Sequence, residues 1–185
     1  MGGADRRDDE SAPAYPDPDS ALVVEPDCAR CSALVECRTR ISWGNGPHDA
    51  DVVVVGEAPG AGDPDADTWK GGNWTGLAYT ARHSGRRIRE TMDAVGYAER
   101  TYYTNAVNCF PCDPDDPGTN REPTEAERDA CREHLLTELD VVQPAAIVAT
   151  GKHATASLLA VEDREVEGFV DAVLDPVGFP SLGAT

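Results

Sequence analysis

Lysine is nearly missing from this chain. Lys70 and Lys152 are the only two among its 16 basic residues, and the rest are arginine. Against them stand 34 Asp and Glu, for a net charge of −18. So large an excess of carboxylate with so little lysine predicts a protein adapted to high salt, where screening relieves the self-repulsion. Acidity then does not exclude a nucleic-acid ligand, and the places where positive charge is kept become informative. Long apolar runs are missing too. Nothing reaches the roughly 18 apolar residues of a spanning helix, and residues 1–10 (MGGADRRDDE) lack the apolar stretch of a secretory signal. The expectation is a soluble, cytoplasmic monomer with no membrane partner. At 185 residues the chain suffices for one domain with a sizeable core.

What the sequence does have is organised around residues 51–62, DVVVVGEAPGAG. Four consecutive valines, Val52 to Val55, are too β-branched to favour a helix and read as a strand buried on both faces at the centre of a parallel sheet. The strand runs straight into Gly56-Glu57-Ala58-Pro59-Gly60. Glycine permits close backbone approach and Pro59 fixes one φ, so a rigid turn is expected at the strand's carboxyl end, where open α/β sheets place their ligands. Glu57 carries a carboxylate there. The plainer alternative is an acidic βα turn without chemistry. Beyond it lie the carboxylates of Asp63, Asp65 and Asp67, then irregular backbone at Gly71-Gly72-Asn73-Trp74-Thr75-Gly76.

Residues 79–89 lead into a helix through about Val95, ended by Gly96. They hold Arg82, His83, Arg86, Arg87 and Arg89. On so acidic a chain, this local cationic patch is of the kind phosphate contacts require; the alternative is a helix face paired with nearby carboxylates. Residues 101–107 read as a second strand. Near its carboxyl end Asn105 can donate and accept, as reading a nucleobase edge demands, or simply cap a turn. Residues 113–123 form an acidic, proline-bearing loop. Thr124 and Glu127 make a capping box that opens a helix to about Val142. Residues 145–151 are expected to be a third buried strand, followed by a helix from Lys152 to about Ala160 and a short strand at 170–174. This βαβαβα order predicts a three-layer α/β/α domain with a central parallel sheet. Residues 1–20, rich in Asp with Pro13, Pro16 and Pro18, are expected to be a disordered acidic tail, leaving a domain over 21–185.

Six cysteines in a chain of cytoplasmic character point to a metal or cluster before disulfides. Cys28 and Cys31, spaced CxxC, place two thiolates within reach of one metal. Cys37, Cys109, Cys112 and Cys131 supply further candidates. Four cysteines from three separated segments suit zinc or an iron–sulfur cluster, and spacing does not choose between them. At least two of the six are then left as reduced core cysteines.

Taken together, these segments resemble the iron–sulfur uracil-DNA glycosylases, families 4 and 5 of that superfamily, over roughly residues 28–185. The turn Gly56-Glu57-Ala58-Pro59-Gly60, with Asp63 beyond, is similar to that of family 4, which keeps a Glu where family 5 has an apolar residue. The stretch Gly72-Asn73-Trp74-Thr75-Gly76, then Tyr79-Thr80 and Ser84-Gly85, is similar to the family 5 pattern G-N-R-T-G…F-T-G-D-x-S-G. Thr104-Asn105-Ala106-Val107-Asn108-Cys109-Phe110-Pro111, with Asn120, Pro123 and Cys131, fits both.

The resemblance implies a uracil-DNA glycosylase-like α/β fold and a base-excision repair enzyme that hydrolyses the N-glycosidic bond of uracil in DNA. It implies a 4Fe-4S cluster on Cys28, Cys31, Cys109 and Cys131, with Cys37 and Cys112 spare. Backbone N–H groups of Gly56, Ala58 and Gly60 would meet charge on the leaving uracil, Asn105 would read its edge, and Tyr79 would stack on it. Those families carry Phe at that place, and Trp74 is the weaker occupant here. Glu57 or Asp63 would position the attacking water, and Arg82, Arg86, Arg87 and Arg89 would contact DNA. Three departures stand out. Arg82 replaces family 5's Asp, the Cys109-to-Cys131 gap is long, and none of His48, His83, His134 or His153 matches the histidine-bearing loop that follows the fourth strand. The expectation is a sequence lacking the C-terminal part of the domain, with impaired excision. Two rival readings remain: a non-catalytic nucleic-acid-binding module stabilised by zinc or a cluster, and a nucleotide-binding α/β domain. Glu57 in the turn and the lack of a P-loop lysine count against the second.

Overall fold

The four valines do form the middle of a sheet. In the computed structural model, which describes residues 13–162, β1 (Val52–Gly56) lies between β2 (Thr101–Asn105) and β3 (Ala146–Ala149). All three are parallel, in the order β2-β1-β3. Every residue of β1 and β2 is buried. Side chains alternate across a strand, so Val53 and Val55 face one helical layer and Val52 and Val54 the other. On the first side, Leu135, Leu139 and Val142 of α4 (Glu125–Val142) pack with Ala154 and Leu158 of α5 (Lys152–Leu159). On the second, Ile88 and Met92 of α3 (Ser84–Ala94) pack with Tyr103. Each fully buried valine contributes roughly 1.5–3 kcal/mol by leaving water. The result is the expected three-layer α/β/α arrangement.

Helix α4 opens on the expected capping box, in which Glu127 N donates to Thr124 Oγ1 at 3.2 Å and Thr124 N donates to Glu127 Oε2 at 2.8 Å. Register fixes what gathers at the carboxyl edge. Gly56 is opposite Asn105 and Val55 opposite Ala149, so the turn after β1, the end of β2 and the start of α5 emerge side by side.

The structure departs from expectation at four places. Strand β3 is not buried but alternates exposed and half-buried residues, because no described strand lies on its outer side. Two short helices, α1 (Ser32–Cys37) and α2 (Gly72–Thr75), were not expected; Gly76, with φ of 78°, ends the latter in the left-handed conformation that suits glycine. Residues 13–20 belong to the fold, not to a disordered tail. Pro16 is buried, Tyr15 meets Trp69 edge-on at 5.2 Å, Asp17 caps a turn at Pro18–Ser20, and Ala21 pairs with Asn45. The strand expected at 170–174 lies outside the described residues, as do residues 1–12 of the tail. Among the described residues no helix is long and apolar enough to cross a membrane.

Candidate active site

A cleft of about 160 Å³ opens at the carboxyl edge of the sheet, lined among others by Gly56, Glu57, Gly60, Tyr79, Asn105 and Thr150. Residues 56–60 are pinned by Ala106 N donating to Gly56 O at 2.8 Å and Val107 N to Glu57 O at 2.9 Å. Asn120 braces the turn's far end, its Oδ1 accepting from Ala61 N at 3.1 Å. Among the described residues nothing accepts the N–H groups of Ala58 or Gly60. A rigid turn with free donors at a strand's carboxyl end suits an anionic or charge-developing group.

Gly56 sets the floor of the cleft. A Cβ there would lie 2.6 Å from Asn105 Oδ1 and 2.8 Å from Tyr79 Oη, so both side chains reach the turn only because it has none. Asn105 is 6 % exposed, and its amide makes no hydrogen bond among the described residues. Tyr79 adopts a left-handed φ of 55°, uncommon for an aromatic residue and a point of backbone strain. Its hydroxyl is bound to Thr150 Oγ1 at 2.6 Å, and Thr150 in turn donates to Val55 O at 3.2 Å. Burial pushes the Tyr79 phenol up to about 12, which keeps it neutral. Trp74 is not among the cleft residues; its Nε1 donates to Ala61 O at 2.7 Å. Of the two aromatic candidates, the structure brings Tyr79 to the site.

The two carboxylates separate. Glu57 lines the cleft, 38 % exposed, with Oε2 4.0 Å from His153 Nε2. Asp63 does not belong there. It is exposed and outside the cleft lining, and its Oδ1 accepts from Asp65 N at 3.0 Å within its own loop. Two glycines and a proline intervene between Glu57 and Asp63, and the chain has already left the sheet edge.

The arginines separate as well. On α3 the buried positions are Gly85, Arg89 and Met92, so Arg89 falls on the inner face. It is 8 % exposed, donates to Asn45 Oδ1 at 2.6 Å, Tyr79 O at 3.0 Å and Ala78 O at 3.2 Å, and stacks 3.9 Å above the Tyr103 ring. Burial lowers its guanidinium to about 10, still a cation at neutral pH. Arg89 thus spends its donors inside the fold, where it holds the backbone on which Tyr79 stands. Arg86 is half-buried and pairs with Glu90 at 2.7 Å. Arg82 and Arg87 are exposed, beside the cleft residues Ala81 and Ser84.

Four free thiols, Cys28, Cys31, Cys109 and Cys131, come together from the N-terminal segment, the loop after β2 and α4. Cys31, Cys109 and Cys131 pack around Leu34 and Val107. Burial pushes Cys131 up to about 12, and Cys109, Cys31 and Cys28 are all close enough to raise it further. Burial raises Cys109 too, against the Arg38 guanidinium, which donates to its sulfur at 3.1 Å and to Cys28 O at 2.6 Å. Burial thus disfavours the thiolate at Cys109 and Cys131. Among the described residues no three of these sulfurs lie within 4.8 Å of one another; the group that meets that limit is Glu25, Cys28 and His134. Sulfurs around one zinc would stand about 4 Å apart.

Cys37 and Cys112 are not spare thiols. They form a disulfide with Cα atoms 5.5 Å apart, joining the end of α1 to the loop after β2. Spacing could not reveal this, because 75 residues separate them and only docking of the N-terminal segment brings them together. Sequence reasoning also missed Arg38, Thr150 and His153. For the last two, the available signal was position, immediately after a parallel strand at the edge where ligands bind.

Comparison with known proteins adds a family. Residues 43–178 match the uracil DNA glycosylase superfamily. The type-4 uracil-DNA glycosylase of Archaeoglobus fulgidus is 32% identical over 139 residues, 75% of this chain and 61% of that protein. That of Thermotoga maritima is 31% identical over 140 residues, 75% of this chain and 63% of that protein. The type-5 uracil-DNA glycosylase of Pyrobaculum aerophilum is 29% identical over 163 residues, 72% of this chain and 66% of that protein. The chain thus spans less than two thirds of the length of each of these relatives.

Proposed function

The chain belongs to the uracil DNA glycosylase superfamily, and from that premise we propose that it excises uracil from DNA by hydrolysing the N-glycosidic bond. The observation that carries this reading is the convergence of free turn N–H groups, the Asn105 amide and the Tyr79 ring on one cleft at the sheet's carboxyl edge. A glycosylase must take its base out of the stack before it can reach the bond. The Tyr79 ring then stacks on the extruded base. Asn105 donates to uracil O4 and accepts from N3–H; cytosine offers the reverse pattern and is rejected. As the C1′–N1 bond lengthens, negative charge on the uracil meets the N–H groups of Ala58 and Gly60, fixed in place beforehand. Glu57 holds the attacking water and stabilises positive charge on the sugar. Arg82, Arg86 and Arg87 take the flanking phosphates.

Cys28, Cys31, Cys109 and Cys131 would hold a 4Fe-4S cluster, whose contribution is to tie the N-terminal segment, the loop after β2 and α4 into one DNA-contacting surface. The chain acts as a monomer. Its acidity and scarcity of lysine fit a salt-rich cytoplasm.

The test is single-turnover excision from a uracil-containing oligonucleotide at molar salt, with the wild-type chain and with Asn105→Ala. Release of uracil that depends on Asn105 supports the reading. Binding to the oligonucleotide without base release, in protein carrying its cluster, would instead favour a non-catalytic nucleic-acid-binding module.

A further inference from the structure

We propose that His153 is a positioning residue for Glu57, with its Nε2–H directed at the Glu57 carboxylate and Arg128 fixing the tautomer that makes this possible. The inference rests on the reading of Glu57 as the carboxylate that holds the attacking water. His153 is the second residue of α5, and its side chain is 10 % exposed. The groups facing the ring come from three elements: Glu57 from the turn after β1, Glu122 from the loop before α4, and Arg128 from α4. Its neighbour Lys152 is exposed.

Arg128 Nη1 stands 3.3 Å from His153 Nδ1 and also donates to Pro123 O at 2.8 Å. A guanidinium has donors and no acceptor, so Nδ1 must offer its lone pair. In the neutral imidazole the proton then sits on Nε2. That nitrogen is buried and makes no hydrogen bond among the described residues. It stands between two carboxylates, 3.1 Å from Glu122 Oε2 and 4.0 Å from Glu57 Oε2. The nearer approach has the distance of a hydrogen bond but not the angle, since Nε2 is left without a bonded partner. Glu122 is 78 % exposed and well solvated, so it gains little from the ring. Glu57 lies in the cleft, and the proposal requires its carboxylate to close the 4.0 Å separation to hydrogen-bond distance. A buried donor with no partner gains most from the acceptor that can be taken out of water with it. His153 itself is not among the cleft residues, so it acts through Glu57 and not on the base.

The experiment uses the full chain labelled with ¹⁵N-histidine. Long-range ¹H–¹⁵N spectra should show His153 protonated at Nε2. Arg128→Met should relax this to the ordinary tautomer mixture, and Glu57→Gln should shift the Nε2 resonance. In single-turnover excision, His153→Ala should slow the chemical step about 10–100-fold, as displaced catalytic groups do, with DNA affinity unchanged. His153→Gln, which keeps an N–H donor, should recover most of the rate. In a Glu57→Gln background His153→Ala should cost nothing further. Protonation at Nδ1, or an equal loss of rate with and without Glu57, overturns the proposal. A wild-type chain that releases no uracil removes the glycosylase reading, and the spectra alone then decide whether His153 and Glu57 are coupled.

Discussion

Gly56 and Asn105 are register partners across β1 and β2, and the Asn105 amide oxygen lies 2.6 Å from where a Gly56 Cβ would be. The same Cβ would meet the Tyr79 hydroxyl at 2.8 Å. The positions of the Asn105 amide and the Tyr79 ring therefore depend on one missing methyl group.

Gly56→Ala should displace Asn105 and Tyr79 together. The expected cost is about 10²–10³ in single-turnover rate, comparable to losing one preorganised donor, and about 1–3 kcal/mol in stability from overpacking. Denaturant unfolding measured beside excision checks this. Wild-type activity in Gly56→Ala would show that the amide and ring do not work from their present positions.

The cysteines should divide into two classes. Cys109→Ser or Cys131→Ser is expected to lose the brown colour of a cluster. Cys37→Ser and Cys112→Ser should keep it while losing about 2–4 kcal/mol of stability with the disulfide, and only under non-reducing conditions. The visible spectrum of anaerobically prepared protein and its melting temperature with and without reductant separate the classes. A bleached Cys37→Ser beside a coloured Cys131→Ser would reverse the assignment.

These divisions mark what the sequence could and could not convey. The valine run and the capping box of α4 were legible because each is a local pattern with one low-energy outcome. Asn105 stood out by its amide at a strand's carboxyl end and Tyr79 only through a family resemblance, since the contact that unites them with Gly56 is set by parallel register. The burial of Arg89 was not legible because four arginines in eight residues look like one patch until the start of α3 decides which of them faces inward. Asp63 looked equivalent to Glu57 because a sequence does not show where a turn leaves the sheet edge. The exposure of β3 and the Cys37–Cys112 bond both depend on neighbours distant in the chain.

The arginines should likewise part company. Arg82→Ala and Arg87→Ala are expected to weaken DNA binding at all sequences, each lowering the salt dependence by about one unit. Neither should change the melting temperature. Arg89→Leu should instead destabilise by about 1–3 kcal/mol, because Asn45 Oδ1 loses its buried partner. Binding isotherms over a salt series, run beside thermal melts, check both. An Arg89 variant with native stability and a reduced salt slope would return that residue to the DNA surface.

The last expectation concerns pH. Glu138 on α4 is 1 % exposed; its carboxyl takes a hydrogen bond from Gly44 N at 3.0 Å and another from the Thr104 hydroxyl. Burial outweighs both bonds and pushes it up to about 7, from an ordinary 4.5. The folded chain therefore keeps this proton at pH values where the unfolded chain has released it. The stability linked to the proton is fully present below the unfolded pKa, and is lost as pH rises through about 7. The shift corresponds to of order 3 kcal/mol. Glu127 works in the opposite sense, since hydrogen bonds from Arg121 and Thr124 lower it in spite of burial, so the whole-protein profile mixes signs. Comparison with Glu138→Gln removes that ambiguity, because the amide keeps an acceptor for Gly44 and cannot ionise. Urea midpoints at fixed molar salt should fall more steeply in the wild type than in Glu138→Gln between about pH 5 and 8, and the variant should be the more stable at the upper end. Parallel profiles for the two proteins would mean that Glu138 is already ionised in the fold at acidic pH, held by Gly44 and Thr104 against the cost of burial.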